Sequence, residues 1–194
     1  MKLSRADTKP ETIQEICDAL VDHQAALAKQ IASSSYPFTP IRPQERRISP
    51  RSAMRTFLRD GFIDRYSGKR LVFPGTIRLL SLYLPREIPF HPNWKMAETH
   101  MSYWELFPTI DHIVPIARGG SDTDSNRVTT SMMRNAAKAN WTMEELGWSL
   151  HPAGDLRQWN GLMKHFLALV EMDPAPLAEP YVKKWYDLAM EAMR

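Results

Sequence analysis

Residues 109–140 confine what this chain can become more than any other stretch. They begin with the apolar, β-branched run Thr109-Ile110-Asp111-His112-Ile113-Val114-Pro115 and turn at Gly119-Gly120. They resume as Arg127-Val128-Thr129-Thr130 and continue into a Met-, Ala- and Lys-rich string from Ser131 to Lys138. β-Branched residues favour strands, paired glycines a tight turn, and Ala, Met and Lys a helix. The stretch therefore reads as strand, turn, strand, helix. Neighbouring side chains of a strand face opposite sides. Asp111 and His112 thus diverge, and one of the two faces inward or lines a cleft.

With 194 residues, 43% hydrophobic and 24% charged, the chain can bury one sizeable core or form a compact domain with appended helices. Its one cysteine, Cys17, excludes an internal disulfide and any multi-cysteine zinc site. No apolar run approaches the roughly 20 residues that span a bilayer. The opening MKLSRADTKPETIQ has no apolar segment of signal type. These features favour a cytoplasmic protein without a membrane partner. The net charge of +3 is unevenly spread: residues 42–72 hold nine basic side chains against three acidic ones. A basic stripe of this kind is the footprint expected of a surface that meets a phosphate backbone.

Three regions are expected: an N-terminal helix and Pro-rich basic arm (1–48), a core (49–147) and C-terminal helices packed on it (148–194). Thr8 and Glu11 fit a capping box ahead of a helix over 8–33, with Ile13, Ile16, Leu20, Leu27 and Ile31 on one face. Pro37, Pro40, Pro43 and Pro50 make the following stretch extended. Ser49 then caps a short helix that starts at Pro50 and stops at Gly61, with Arg51, Arg55 and Arg59 on one face. RLVFPG and IRLLSLYL read as strand-like or buried runs, PREIPFHPNWKM as loop, and AETHMSYWELF as helical. Thr142 and Glu145 form a second capping box, Trp159, Leu162, Met163, Phe166 and Val170 a helical stripe, and a last helix runs from about Pro180.

The order Asp111-His112-Ile113-Val114-Pro115, Gly119-Gly120, Asp124-Ser125-Asn126, then Asn135 and Lys138 resembles the HNH endonucleases, or ββα-metal nucleases, including the HNH domain of RNA-guided CRISPR nucleases. The resemblance implies an α+β fold in which a ββα-metal (HNH/His-Me finger) core, about 108–139, lies between N- and C-terminal helices. It implies a divalent-metal-dependent endonuclease cutting DNA to 5′-phosphate and 3′-hydroxyl ends. In that reading His112 is the general base, Asp111 and Asn135 bind Mg2+ (or Mn2+ or another divalent cation), and Asn126 orients His112 and ties the turn. The residue types suit the chemistry. Magnesium prefers oxygen ligands and takes only one or two from protein, while an imidazole is largely neutral near pH 7. FIDRYSGKRL looks like the family's Cys-x-x-Cys-Gly-Lys lead-in with the cysteines lost, and the zinc positions fall at Asp64, Ser67, Ser131 and Arg134. No structural zinc is expected, and Trp94, Tyr103, Trp104 and Phe107 are the candidate brace. Arg118, Lys138, Arg51, Arg55 and Arg59 are expected at the nucleic acid, with His91, Lys95 and His100 as secondary candidates. An RNase and a nucleic-acid-binding module with a silent HNH fold are the alternatives.

Overall fold

The computed structural model describes residues 8–42, 45 and 47–193; Pro43 and Arg46 of the arm lie outside them. The chain divides into two units, 1–41 and 42–194.

The first unit holds α1 (Lys9–Val21) and α2 (Ala25–Ser35), not one helix over 8–33. The chain reverses at His23, which takes the left-handed φ of 56°. The Gln24 N–H reaches back to the Ala19 carbonyl at 2.7 Å. Ala19 and Ala28 are buried, small enough to let two short helices pack closely. The expected capping box at Thr8 is absent too: its side chain caps nothing, and Thr12 bonds the Thr8 carbonyl instead.

The second unit begins with α3 (Pro50–Arg59), capped as expected by the Ser49 hydroxyl, which accepts from the Ser52 N–H. Gly61 follows with φ 65° and passes so close to the Gly154 backbone that a Cβ would collide with it. The apolar run read as strand-like or buried forms not a strand but α4 (Pro74–Tyr83), in which Gly75, Ile77, Leu79 and Ser81 are buried. Ile77, Leu79 and Ser81, buried between half-buried Arg78 and Leu80, mimic a strand's alternation. Periodicity therefore cannot separate strand from helix here, and Pro74 at the first turn pre-sets the helical φ. After a loop come α5 (Ser102–Glu105), β1 (Pro108–His112), β2 (Arg127–Ser131), α6 (Met132–Lys138) and α7 (Met143–Leu146), the last with the expected Thr142–Glu145 capping box. The two strands pair antiparallel, with Asp111 opposite Val128 and His112 opposite Arg127.

α8 (Met163–Met172) and α9 (Pro180–Ala192) close the unit. The stripe expected to begin at Trp159 is interrupted by Leu162, whose φ of 64° ends any helix there. Trp159 is used differently: its indole N–H donates to the Leu71 carbonyl at 2.8 Å. The core gathers Phe57, Phe62, Phe73, Phe166, Val182 and Trp185. A second cluster joins Val72, Ile77, Tyr103 and Phe107, with Phe90, Trp94 and Met132 against it. The architecture is α+β, and in the second unit the small antiparallel pair packs against α3 and α6. Among the described residues no helix is long and apolar enough to cross a membrane.

Candidate active site

β1 delivers Asp111 and His112 to opposite sides of the hairpin, and each meets a different set of partners. On one side His112, only 4% exposed, places Nε2 2.8 Å from Asp122 Oδ1. Arg127, its cross-strand neighbour, donates to the same oxygen from Nη2 at 2.6 Å and from Nε at 3.0 Å. The other Asp122 oxygen accepts the Arg47 N–H at 3.0 Å. The Arg47 N–H above all, with His112 and Arg127 adding to it, holds the Asp122 carboxyl far below the usual carboxylate range. An ionised carboxylate only accepts. In the neutral tautomer that this contact selects, His112 has its proton on Nε2 and its lone pair on Nδ1, a nitrogen with no hydrogen-bond partner among the described residues.

On the other side, Asp111 Oδ2 accepts from the Tyr66 hydroxyl at 2.7 Å and the Lys138 ammonium at 2.9 Å. Burial first, then the charge of Asp111, raises the Tyr66 pKa, so the phenol stays a neutral donor. Lys138 has no exposed surface, and it also donates to the His112 carbonyl at 2.8 Å. One ammonium thus ties both catalytic candidates to α6 from below.

Asn135 lies on the same helix. Its amide nitrogen donates to Thr109 Oγ1 at 3.0 Å and more weakly to the Ile110 carbonyl at 3.4 Å. A carbonyl can only accept, so the amide is oriented with Nδ2 toward β1. Asn135 Oδ1 is left turned away, and it and Asp111 Oδ1 have no hydrogen-bond partners among the described residues. Two hard oxygens, one a carboxylate and one an amide carbonyl, suit a magnesium-type cation that completes its shell with water. Among the described residues no three His, Cys, Asp or Glu side chains gather as ligands.

Asn126 staples the intervening loop. It accepts the Val114 N–H at 2.9 Å and donates to the Val114 carbonyl at 2.9 Å and the Ser121 carbonyl at 2.8 Å. Asp122, not Asn126, touches the His112 ring. Gly119 takes φ 88°, and at Gly120 a Cβ would overlap the Val114 carbonyl. Gly119 is therefore favoured by its left-handed backbone, and Gly120 by the closeness of the loop's two arms.

Asp64, Ser67, Ser131 and Arg134 line one cavity of about 330 Å³. The Asp64 carboxylate, 1% exposed, accepts from the Tyr66 N–H at 2.9 Å, the Thr130 hydroxyl at 3.0 Å and the Ser131 N–H at 3.1 Å. It thereby fastens the turn at 64–69 to the junction of β2 and α6. The aromatic cluster contributes one link nearby, the Met132 N–H to the Phe107 carbonyl at 3.3 Å.

The basic residues are more dispersed than the sequence suggested. Lys138 lies beneath the site, with no surface left to meet a phosphate. Arg118 pairs with Glu145 at 3.0 Å and Arg51 with Glu191 at 2.8 Å, both on the surface. Arg59 bonds the Asp124 and Arg127 carbonyls, both at 2.6 Å, so it buttresses the loop. Arg55 is exposed on α3. His91, Lys95 and His100 stay in their own loop: His91 Nδ1 accepts the Asn93 N–H, Lys95 pairs with Glu98, and His100 Nδ1 accepts the Ser102 N–H.

Asp122 and Tyr66 are the residues that sequence reasoning missed. Asp122 reads as one more acid in a Ser/Asp/Thr turn, and only the strand register brings it to His112. Residues 100–143 match the family model described as HNH endonuclease. No curated protein and no solved structure matches the chain.

Proposed function

We propose, taking residues 100–143 as an HNH endonuclease segment, that this protein is a divalent-metal-dependent nuclease that hydrolyses phosphodiester bonds in DNA. The observation that carries the proposal is the His112–Asp122 pair at 2.8 Å on the strand that also bears Asp111. Because Asp122 holds the Nε2 proton, Nδ1 is the nitrogen able to take a proton from the attacking water. The imidazolium that forms is then stabilised by the same carboxylate. Asp111 and Asn135 are the residues that would hold the cation, and Tyr66 and Lys138 fix the Asp111 carboxylate against rotation. When bound, a magnesium-type ion supplies Lewis-acid stabilisation of the phosphoryl and leaving oxygens. Arg55, and Arg51 and Arg118 once released from their surface ion pairs, are the candidates for backbone phosphates, which position a duplex without reading its sequence.

The test is supercoiled plasmid with each divalent metal in turn, alongside matched RNA. The wild type should nick or linearise DNA. His112→Ala should lose about 100- to 10,000-fold in rate while DNA binding, measured by gel shift, persists. Undiminished cutting by that variant ends the mechanism, and cutting of RNA alone moves the activity to ribonucleic acid.

A further inference from the structure

Away from the candidate active site, a cavity of about 320 Å³ opens between α4, the loop after it and α9. Phe90, Trp94, Tyr103 and Tyr181 supply its flat walls, and Arg78 and Glu179 are its charged groups. Small-molecule sites combine an apolar concavity with a few convergent polar groups, and this cavity has both. Trp94 is held at φ 53°, a conformation bulky residues rarely take. That backbone sets its indole edge-on to Tyr103 at 5.4 Å and Phe107 at 5.0 Å.

The charged pair is the informative part. The Arg78 guanidinium lies 4.3 Å from the Phe90 ring centre, its side chain 20% exposed. Its nearest carboxylate contact, to Glu179 Oε1, is 3.8 Å, too long for a hydrogen bond. Glu179 uses its other oxygen to cap α9, accepting the Val182 N–H at 2.8 Å. The Arg78 fork, which also acts on the Tyr103 hydroxyl, and one Glu179 oxygen thus face each other among aromatic rings, with donors of the fork to spare. Tyr103 adds no polar handle, since its hydroxyl is tied to Ser81 at 2.8 Å.

We infer that this cavity binds one unstacked guanine base of the nucleic-acid substrate, its O6/N7 edge on Arg78 and its N1/N2 donors on Glu179, an inference that rests on the nuclease reading for its setting. Guanine is the base that offers an acceptor pair to a guanidinium and a donor pair to a carboxylate at once. Stacking on aromatic side chains holds any base, and the charged edge selects this one. Phe107 also lines the cavity and immediately precedes β1. At ~3.3 Å per residue, His112 lies roughly 16 Å further along, about five duplex steps of 3.4 Å. Cleavage a few nucleotides from a guanine is the consequence.

The test uses the full chain and the four 2′-deoxynucleosides, which carry no phosphate and cannot be cut. Binding is read by saturation-transfer NMR and by the shift of the Trp94 indole resonance. Deoxyguanosine should bind and perturb Trp94, and Arg78→Lys and Glu179→Gln should each weaken it about tenfold or more. Both variants keep side-chain size and, at Glu179, the helix cap, and thermal melts check that each stays folded. Equal binding of all four nucleosides, no contact by deoxyguanosine, or binding indifferent to both variants overturns the inference. Plasmid cleavage without deoxyguanosine binding sinks this pocket alone, whereas deoxyguanosine binding without any cleavage sinks the nuclease reading alone.

Discussion

His112 and Asp111 are chain neighbours with different partners, and strand alternation places them on opposite faces of one hairpin. The imidazole is directed by Asp122, a carboxylate that also takes two N–H groups from Arg127. Replacing Asp122 with Asn keeps the shape but offers an amide that can face His112 either way, so the Nε2–H tautomer is no longer enforced. Asp122→Asn is expected to lower kcat about a hundredfold or more with DNA affinity unchanged. A merely structural role would leave the ring alone. Nitrogen chemical shifts of His112 should instead show loss of the Nε2–H form.

At the scale of elements, the hairpin and α6 form one unit because polar side chains bolt them together. Asn126 closes the loop, Lys138 ties α6 to the end of β1, and Asp64 ties the preceding turn to the start of α6. Asp64 stands where the resembling nucleases place a zinc-binding cysteine, and its three accepted hydrogen bonds give a buried carboxylate the satisfaction burial demands. Asp64→Ala strands two backbone N–H groups at Tyr66 and Ser131. Each orphaned donor costs about 1–3 kcal/mol, so a loss of about 3 kcal/mol in urea unfolding is expected. A brace made of hydrogen bonds also survives chelation. EDTA should abolish plasmid cleavage and leave the melting temperature unchanged, whereas a coincident fall in both would mean that a metal also holds the fold.

For the molecule as a whole, stability should depend on pH through Asp122. Its folded-state pKa lies below the unfolded value near 4, so the folded state is favoured by ionisation. The stabilisation is complete above about pH 4 and fades as acid protonates the folded carboxyl. Urea midpoints should fall steeply below that pH in the wild type, and Asp122→Asn should flatten this acid limb. An unchanged limb in the variant would show that other carboxylates carry it. The basic surface is less concentrated than residues 42–72 suggested, because Arg51 is paired with Glu191 and Arg59 is spent on the Asp124 and Arg127 carbonyls. Chain order puts charges in one stretch; packing decides which remain open to a phosphate.

Local chemistry was legible without coordinates. The Ser49 and Thr142 caps, the hairpin at 108–131 and the last helix from Pro180 depend on neighbours within a few positions, and the sequence contains those neighbours. That Asp111, His112, Asn126 and Asn135 lie on one small strand–loop–strand–helix unit was legible for the same reason. What escaped the sequence depends on partners far along the chain. Whether 74–83 is helix or strand is decided by its packing against α8 and α9, the reversal at His23 by the packing of two alanines, and the fate of Lys138 by the space beneath β1. Asp122 is the sharpest case: nothing in a Ser/Asp/Thr turn marks one acid over the next. It matters because antiparallel pairing sets Arg127 opposite His112 and folds the loop back until one carboxylate reaches both.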